Sequence, residues 1–211
     1  MGKTMIASRE MTDGQIENVC DKLRAALRKH RAEISSEAAQ AAIGVENIGM
    51  IMFTSFRQQA EKFSEMIVRR VKVDRSRTPQ QALDATDRRQ YTDSEVVAQM
   101  PRCEGEEVDV YFFSLKEHRD VKDIDEMFEE RGLKPDPYAV AAVNEIDPAF
   151  SDSHPNGTQW KDNQGRHCFV TFFRWLDERR LHCRRFRLEH DWDDCWWLGG
   201  VRQRVVVPKL A

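Results

Sequence analysis

Apolar residues change their spacing part way along this chain, and that change limits its fold more than any other feature. Up to about residue 71 they recur every three or four positions, the repeat of a helix with one buried face. From Glu107 onward they alternate with polar residues, the repeat of a strand. A chain of 211 residues that switches period in this way reads as α+β. We expect an N-terminal helix pair, then a four- to five-stranded antiparallel sheet with two or three short helices.

The helical part opens at Thr12, which with Gln15 makes a capping box. Ile16, Val19, Cys20, Leu23, Ala26, Leu27 and Ile34 form the first stripe. A second helical region starts at Glu37, weakened by Gly44 and Gly49 into a kink or two helices. Phe53, Phe56, Ala60, Phe63, Ile67 and Val71 continue its stripe. The two stripes would pack on each other as an antiparallel pair, or on helices of another copy, so a homo-oligomer joined through these helices is one expectation. Residues 1–74 are read as this helical region and 75–106 as a connector. Within the connector, Thr78 and Pro79 start one short helix and Thr92 with Glu95 another. Residues 107–211 are read as an α+β domain, bounded by the acidic loop Glu104 to Glu107.

In that domain Val108, Val110 and Phe112 mark a strand, Val121 to Arg131 a helix stopped by Gly132, and Pro137 to Asn144 a second helix. Four strands then follow as a meander: Thr158–Asp162, Arg166–Trp175, Arg180–Leu188 and Trp196–Val207. Gly199 and Gly200 suggest a bulge or bend in the last of them.

Charge and cysteine usage exclude several classes. Lys and Arg number 33 against 36 Asp and Glu, so the chain is not uniformly basic. No apolar run approaches the length of a membrane span. The N-terminus lacks the apolar core of a secretory signal, and Gly2, Lys3 and Thr4 have no preceding strand and glycine turn to make a phosphate loop. The five cysteines are widely spaced without a C-x-x-C pair, which reads as reduced thiols in the cytoplasm.

The chemistry concentrates at the C-terminal end. All five tryptophans (160, 175, 192, 196 and 197) fall in the last quarter, interleaved with arginines. Trp and Arg are the usual anchors of protein interfaces, and guanidinium groups beside aromatic rings also suit nucleic acid. The competing reading makes the aromatics core beneath helix 121–131 and the arginines its solvated rim. Candidate binding residues are Trp160, Arg174, Trp175, Arg184, Arg185, Arg187, Trp192, Trp196, Trp197 and Arg202. The first expectation is a non-enzymatic interaction protein with a protein partner, and nucleic acid on the same sheet is the alternative. An enzyme alternative rests on His190, Asp191, Asp193 and Asp194, whose three carboxylates on a turn would hold Mg²⁺ or Mn²⁺ for hydrolysis. Asp152 with His154 is a second acid–base pair. His167–Cys168 and His182–Cys183 invite a zinc reading, but strand alternation splits each pair between two faces. No nucleophile elbow or metalloprotease helix is present, so no catalytic residue, resident metal or cofactor is assigned.

Two segments carry a resemblance. One runs from Arg77 through Pro79, Leu83 and Arg88 to Tyr91, with Val96, Val97, Met100, Pro101 and Arg102 after it. The other runs from Asp147 and Phe150 through His154, Thr158, Trp160, Asp162, Arg174, Trp175, Trp196 and Trp197 to Gly200 and Arg202. Together they resemble a group of short uncharacterised bacterial proteins, some carried by phages or other mobile elements. The resemblance covers residues 75–203 and implies a bacterial or phage cytosolic setting. It carries no activity and no functional residue.

Overall fold

The structure, a computed structural model, describes residues 10–186 and 191–202. It divides into two compact units, one ending at Phe63 and one starting at Ser64.

The first unit is helical. α1 (Asp13–Lys29) begins at the expected capping box, with Gln15 N–H on Thr12 Oγ1 and Thr12 N–H on Gln15 Oε1. The expected break near Gly44 separates α2 (Ser36–Ile43) from α3 (Ile48–Glu61). The expected packing of two stripes on each other does not occur: no residue of α1 or α2 is buried.

The second unit is a mixed α+β layer structure. Its sheet has eight strands rather than four to five. Part of the increase lies in segments read from the sequence as helix or connector. Ile67 and Val71, expected on a helical stripe, lie on strand β1 (Met66–Lys72), where β-branched residues alternate between buried and outward positions. β2 (Arg89–Thr92) lies between α4 (Pro79–Asp84) and α5 (Ser94–Val97). The cap of α5 is Asp93, not Thr92. β3 (Glu107–Ser114), α6 (Val121–Glu130) and α7 (Pro137–Ile146) match the alternation and caps of the sequence. The short strand β4 (Leu133–Pro135) and helix α8 (Phe150–Ser153) lie between the elements read from the sequence.

β5 (Asn156–Lys161), β6 (His167–Trp175) and β7 (Glu178–Arg185) form the antiparallel meander. The expected fourth strand of that meander does not join it. β8 (Trp197–Arg202) crosses to the middle of the sheet, antiparallel to β3 and briefly parallel to β5. β4 pairs with its last three residues. The order across the sheet is β1-β3-β8-β5-β6-β7-β2, with β2 parallel to β7.

Two apolar cores lie on opposite faces. α7 is apolar on all sides and fills the first, with Phe112, Phe150, Trp160, Phe172, Leu181 and the thiols of Cys168 and Cys183. Its N-cap Asp136 is fully buried and takes a two-pronged ion pair from Arg75 at 2.9 and 2.7 Å. α6 covers the second core through Ile124 and Phe128, one turn apart, on Phe113, Leu133 and Leu198.

Gly199 and Gly200 are regular strand residues rather than a bulge. A Cβ on Gly199 would stand 2.6 Å from Phe112 and 2.8 Å from Val140, both fully buried. A Cβ on Gly200 would stand 2.7 Å from Phe128 on the other face. Gly199→Ala therefore overpacks a closed site. We expect it to cost about 1–3 kcal/mol, measured as a lowered urea midpoint by tryptophan fluorescence.

Candidate functional site

α6 covers the second face over β3, β4 and β8. Its farthest reach is Asp125, whose carboxylate accepts from His167 Nε2 at 2.9 Å and Lys161 Nζ at 2.7 Å. Asp125 also accepts from Gln159, which in turn accepts from the indole of Trp192 at 2.8 Å. Burial raises the Asp125 pKa, but these three donors outweigh it and hold the carboxyl below its ordinary value. The network ties the start of α6 to β5 and β6.

Beyond that point β6, β7 and β2 turn a different surface outward. Strand alternation sends Phe169, Thr171 and Phe173 of β6, Arg180, His182 and Arg184 of β7, and Tyr91 of β2 to this face. Thr171 lies opposite His182, and Phe169 opposite Arg184. Ring contacts run without a gap across it. Phe169 meets Phe186 at 4.5 Å, Phe186 meets Trp192 at 5.6 Å, and Trp192 meets Trp196 at 5.6 Å. Trp196 meets Phe173 at 5.8 Å, Phe173 meets His182 at 4.9 Å, and His182 meets Tyr91 at 5.1 Å. Most of these rings, with Thr171, Arg184 and Asp191, line an open groove of 390 Å³. That size and lining suit a ligand side chain or small molecule.

The arginines nearby are mostly occupied. Arg89 and Arg180 share Glu178 and sit over the Tyr91 ring. Arg174 and Arg179 hold Asp152, and Arg179 does so through two bonds of 2.9 and 2.7 Å. Arg185 points to the opposite face and binds Asp93, Glu95 and Asp162. Arg184 differs: its Nε donates to the Tyr91 carbonyl at 3.1 Å, and it has no carboxylate partner among the described residues. It is an exposed cation at the side of an aromatic groove.

The expected binding residues thus divide. Trp196, Arg184 and Arg185 line the groove, the Arg185 guanidinium being taken up by its carboxylates, and Trp192 lines it while being 3% exposed. Trp160 is buried in the first core, and Trp197 packs half-buried against that core and edge-on to His154. Trp175 stands 56% exposed at the β6–β7 turn beside Arg174. Arg202 lies over the Tyr111 ring. Arg187 and His190 lie outside the described residues. Asp191, Asp193 and Asp194 are exposed, and Asp193 pairs with His118. Among the described residues no three His, Cys, Asp or Glu side chains converge in a way that could hold a metal ion. Asp152 is held by arginines, which lower its pKa, while His154 stacks on Phe150 and bonds Ser153. Cys168 and Cys183 share the buried face while His167 and His182 take the other.

Sequence reasoning missed Tyr91, Phe169, Thr171, Phe173 and His182 as one surface. The alternation within residues 167–185 carries the signal for four of them. Nothing local signals Tyr91, because β2 joins the sheet through a parallel pairing to a distant strand. Comparisons of the chain with family models, curated proteins and solved structures return no match.

His182 is a half-buried imidazole flanked by arginines of its own strand. Burial pushes its pKa below the ordinary value, and repulsion from Arg184 and Arg180 adds to the shift. The unfolded chain therefore binds the His182 proton more readily than the folded one. The contribution to stability is full above the ordinary imidazole pKa and declines as pH falls through the depressed folded value. An NMR titration should place His182 below a peptide histidine, and His182→Phe should flatten the acid side of the stability profile.

Proposed function

We propose that the chain is a non-catalytic interaction protein that docks a segment of a protein partner in the groove between β6, β7 and Trp196. The single observation that carries this reading is the ring-lined groove flanked by Arg184, which has no carboxylate partner among the described residues. The complementary ligand is a segment with a large apolar or aromatic side chain next to a carboxylate. Nucleic acid fits less well. A phosphate backbone needs a row of available cations, and Arg89, Arg174, Arg179, Arg180 and Arg185 are already paired.

Catalysis is also less well supported. A catalytic imidazole is ordinarily oriented by a carboxylate or carbonyl, whereas the charged groups acting on His182 are both arginines. The five free thiols accord with a reducing cytosolic setting. No helix among the described residues is long and apolar enough to cross a membrane. In this reading the helices before Phe63 join copies of the chain.

The full chain, Phe173→Ala and Arg184→Glu should be immobilised and exposed to host extract, and any captured partner then purified and its affinity measured. We expect each variant to weaken binding by roughly tenfold or more while the far-UV circular dichroism stays native. Equal affinity for all three proteins would overturn the proposal. An affinity falling steeply with salt would assign the groove to nucleic acid instead.

A further inference from the structure

The apolar surface of the helical unit has an order that identifies its occupant. Eleven large apolar side chains from Met11 to Phe53 are each 41–67% exposed. They are spread over α1, α2, α3 and the turns beside them.

On α1 the order is specific. Ile16, Cys20, Leu23 and Leu27 are separated by four, three and four residues, the 3.5-residue repeat of a helix packed along another helix. All four are exposed. Charge changes sign along the same helix: Asp13, Glu17 and Asp21 are followed by Lys22, Arg24, Arg28 and Lys29. The reversal falls between Asp21 and Lys22, midway between Ile16 and Leu27.

A helix whose charge inverts about the centre of its own apolar seam is complementary to itself when turned end for end. We propose that α1 pairs antiparallel with α1 of a second copy of this chain. The inference rests on the reading above that these helices join copies. In this register Ile16 packs on Leu27 of the second copy, and Cys20 on Leu23. Glu17 and Arg24 flank the seam on one side, and in the pair Arg24, which bonds Asp21 within its own helix, faces Glu17 of the second copy across the two-fold axis. Opposed helix dipoles add to the match. A parallel pair would instead place acid beside acid and base beside base.

The test is analytical ultracentrifugation of the full chain over a range of micromolar concentrations. We expect a dimer, weakened at least tenfold by Leu23→Asp. Glu17→Arg alone should weaken it several-fold, and adding Arg24→Glu should restore it. Neither charge change touches the apolar seam, so this arm does not depend on a core substitution. The tryptophans all lie after Ser64, so their fluorescence reports the second unit in every variant. A monomer at all concentrations would overturn both this pairing and the self-association reading. A dimer that dissociates with Leu23→Asp but ignores the charge exchange would keep self-association and overturn the antiparallel register. A dimer indifferent to Leu23→Asp would place the contact elsewhere and overturn the α1 pairing.

Discussion

The close approach of two layers to one strand organises the second unit. β8 runs through the middle of the sheet, and its residues alternate between the two cores: Leu198 and Gly200 toward α6, Gly199 and Val201 toward α7. With hydrogen at both central positions, Phe112 and Val140 close over one face and Phe128 over the other. The strand is then held from both sides by β3, β5 and β4. Trp196 and Trp192 precede it in the chain. The placement of β8 therefore fixes where the aromatic wall of the groove stands relative to β6 and β7.

The same placement decides which charged and aromatic groups remain available. The arginine excess of the C-terminal quarter is largely neutralised within the fold. Asp152 takes two arginines, Glu178 two, and Asp162 two. Asp162 also accepts backbone N–H bonds from Gln164 and Arg166, which with the guanidinium contacts outweigh its burial and hold its carboxyl far below the ordinary range. Such pairs brace turns and strand ends and leave little net field. Arg184, beside the ring-lined groove, has no carboxylate partner among the described residues.

Much of the local structure was legible in the chain. Thr12 with Gln15, and Thr78 with Pro79, announced two helix starts through capping chemistry that depends on only a few neighbouring residues. The alternation around Val110 and Phe112 and along residues 167–175 gave strands. Alternation also forecast that each His-Cys pair would be split between faces, and it is. Ile67 and Val71 were misplaced because two apolar residues four apart satisfy a helix and a strand alike. Here the β-branched neighbours Val68 and Val73 decide for the strand. β2 was missed because Arg89, Gln90, Tyr91 and Thr92 carry too little apolar pattern for an edge strand to show.

The sequence by itself determined the capped starts of α1 and α4, the meander of β5 to β7, and the self-inverting charge pattern of α1. These depend on neighbours a few positions apart, whose geometry follows from the backbone period. Tertiary structure alone decided that β8 leaves the meander for β3 and that β2 adds in parallel to β7. It also decided that Trp160 is core while Trp196 lines a groove, and that Arg184 at the groove has no carboxylate partner among the described residues. Each of these turns on which distant strand is the neighbour, and the energies that choose it come from packing and ion pairing across the whole sheet.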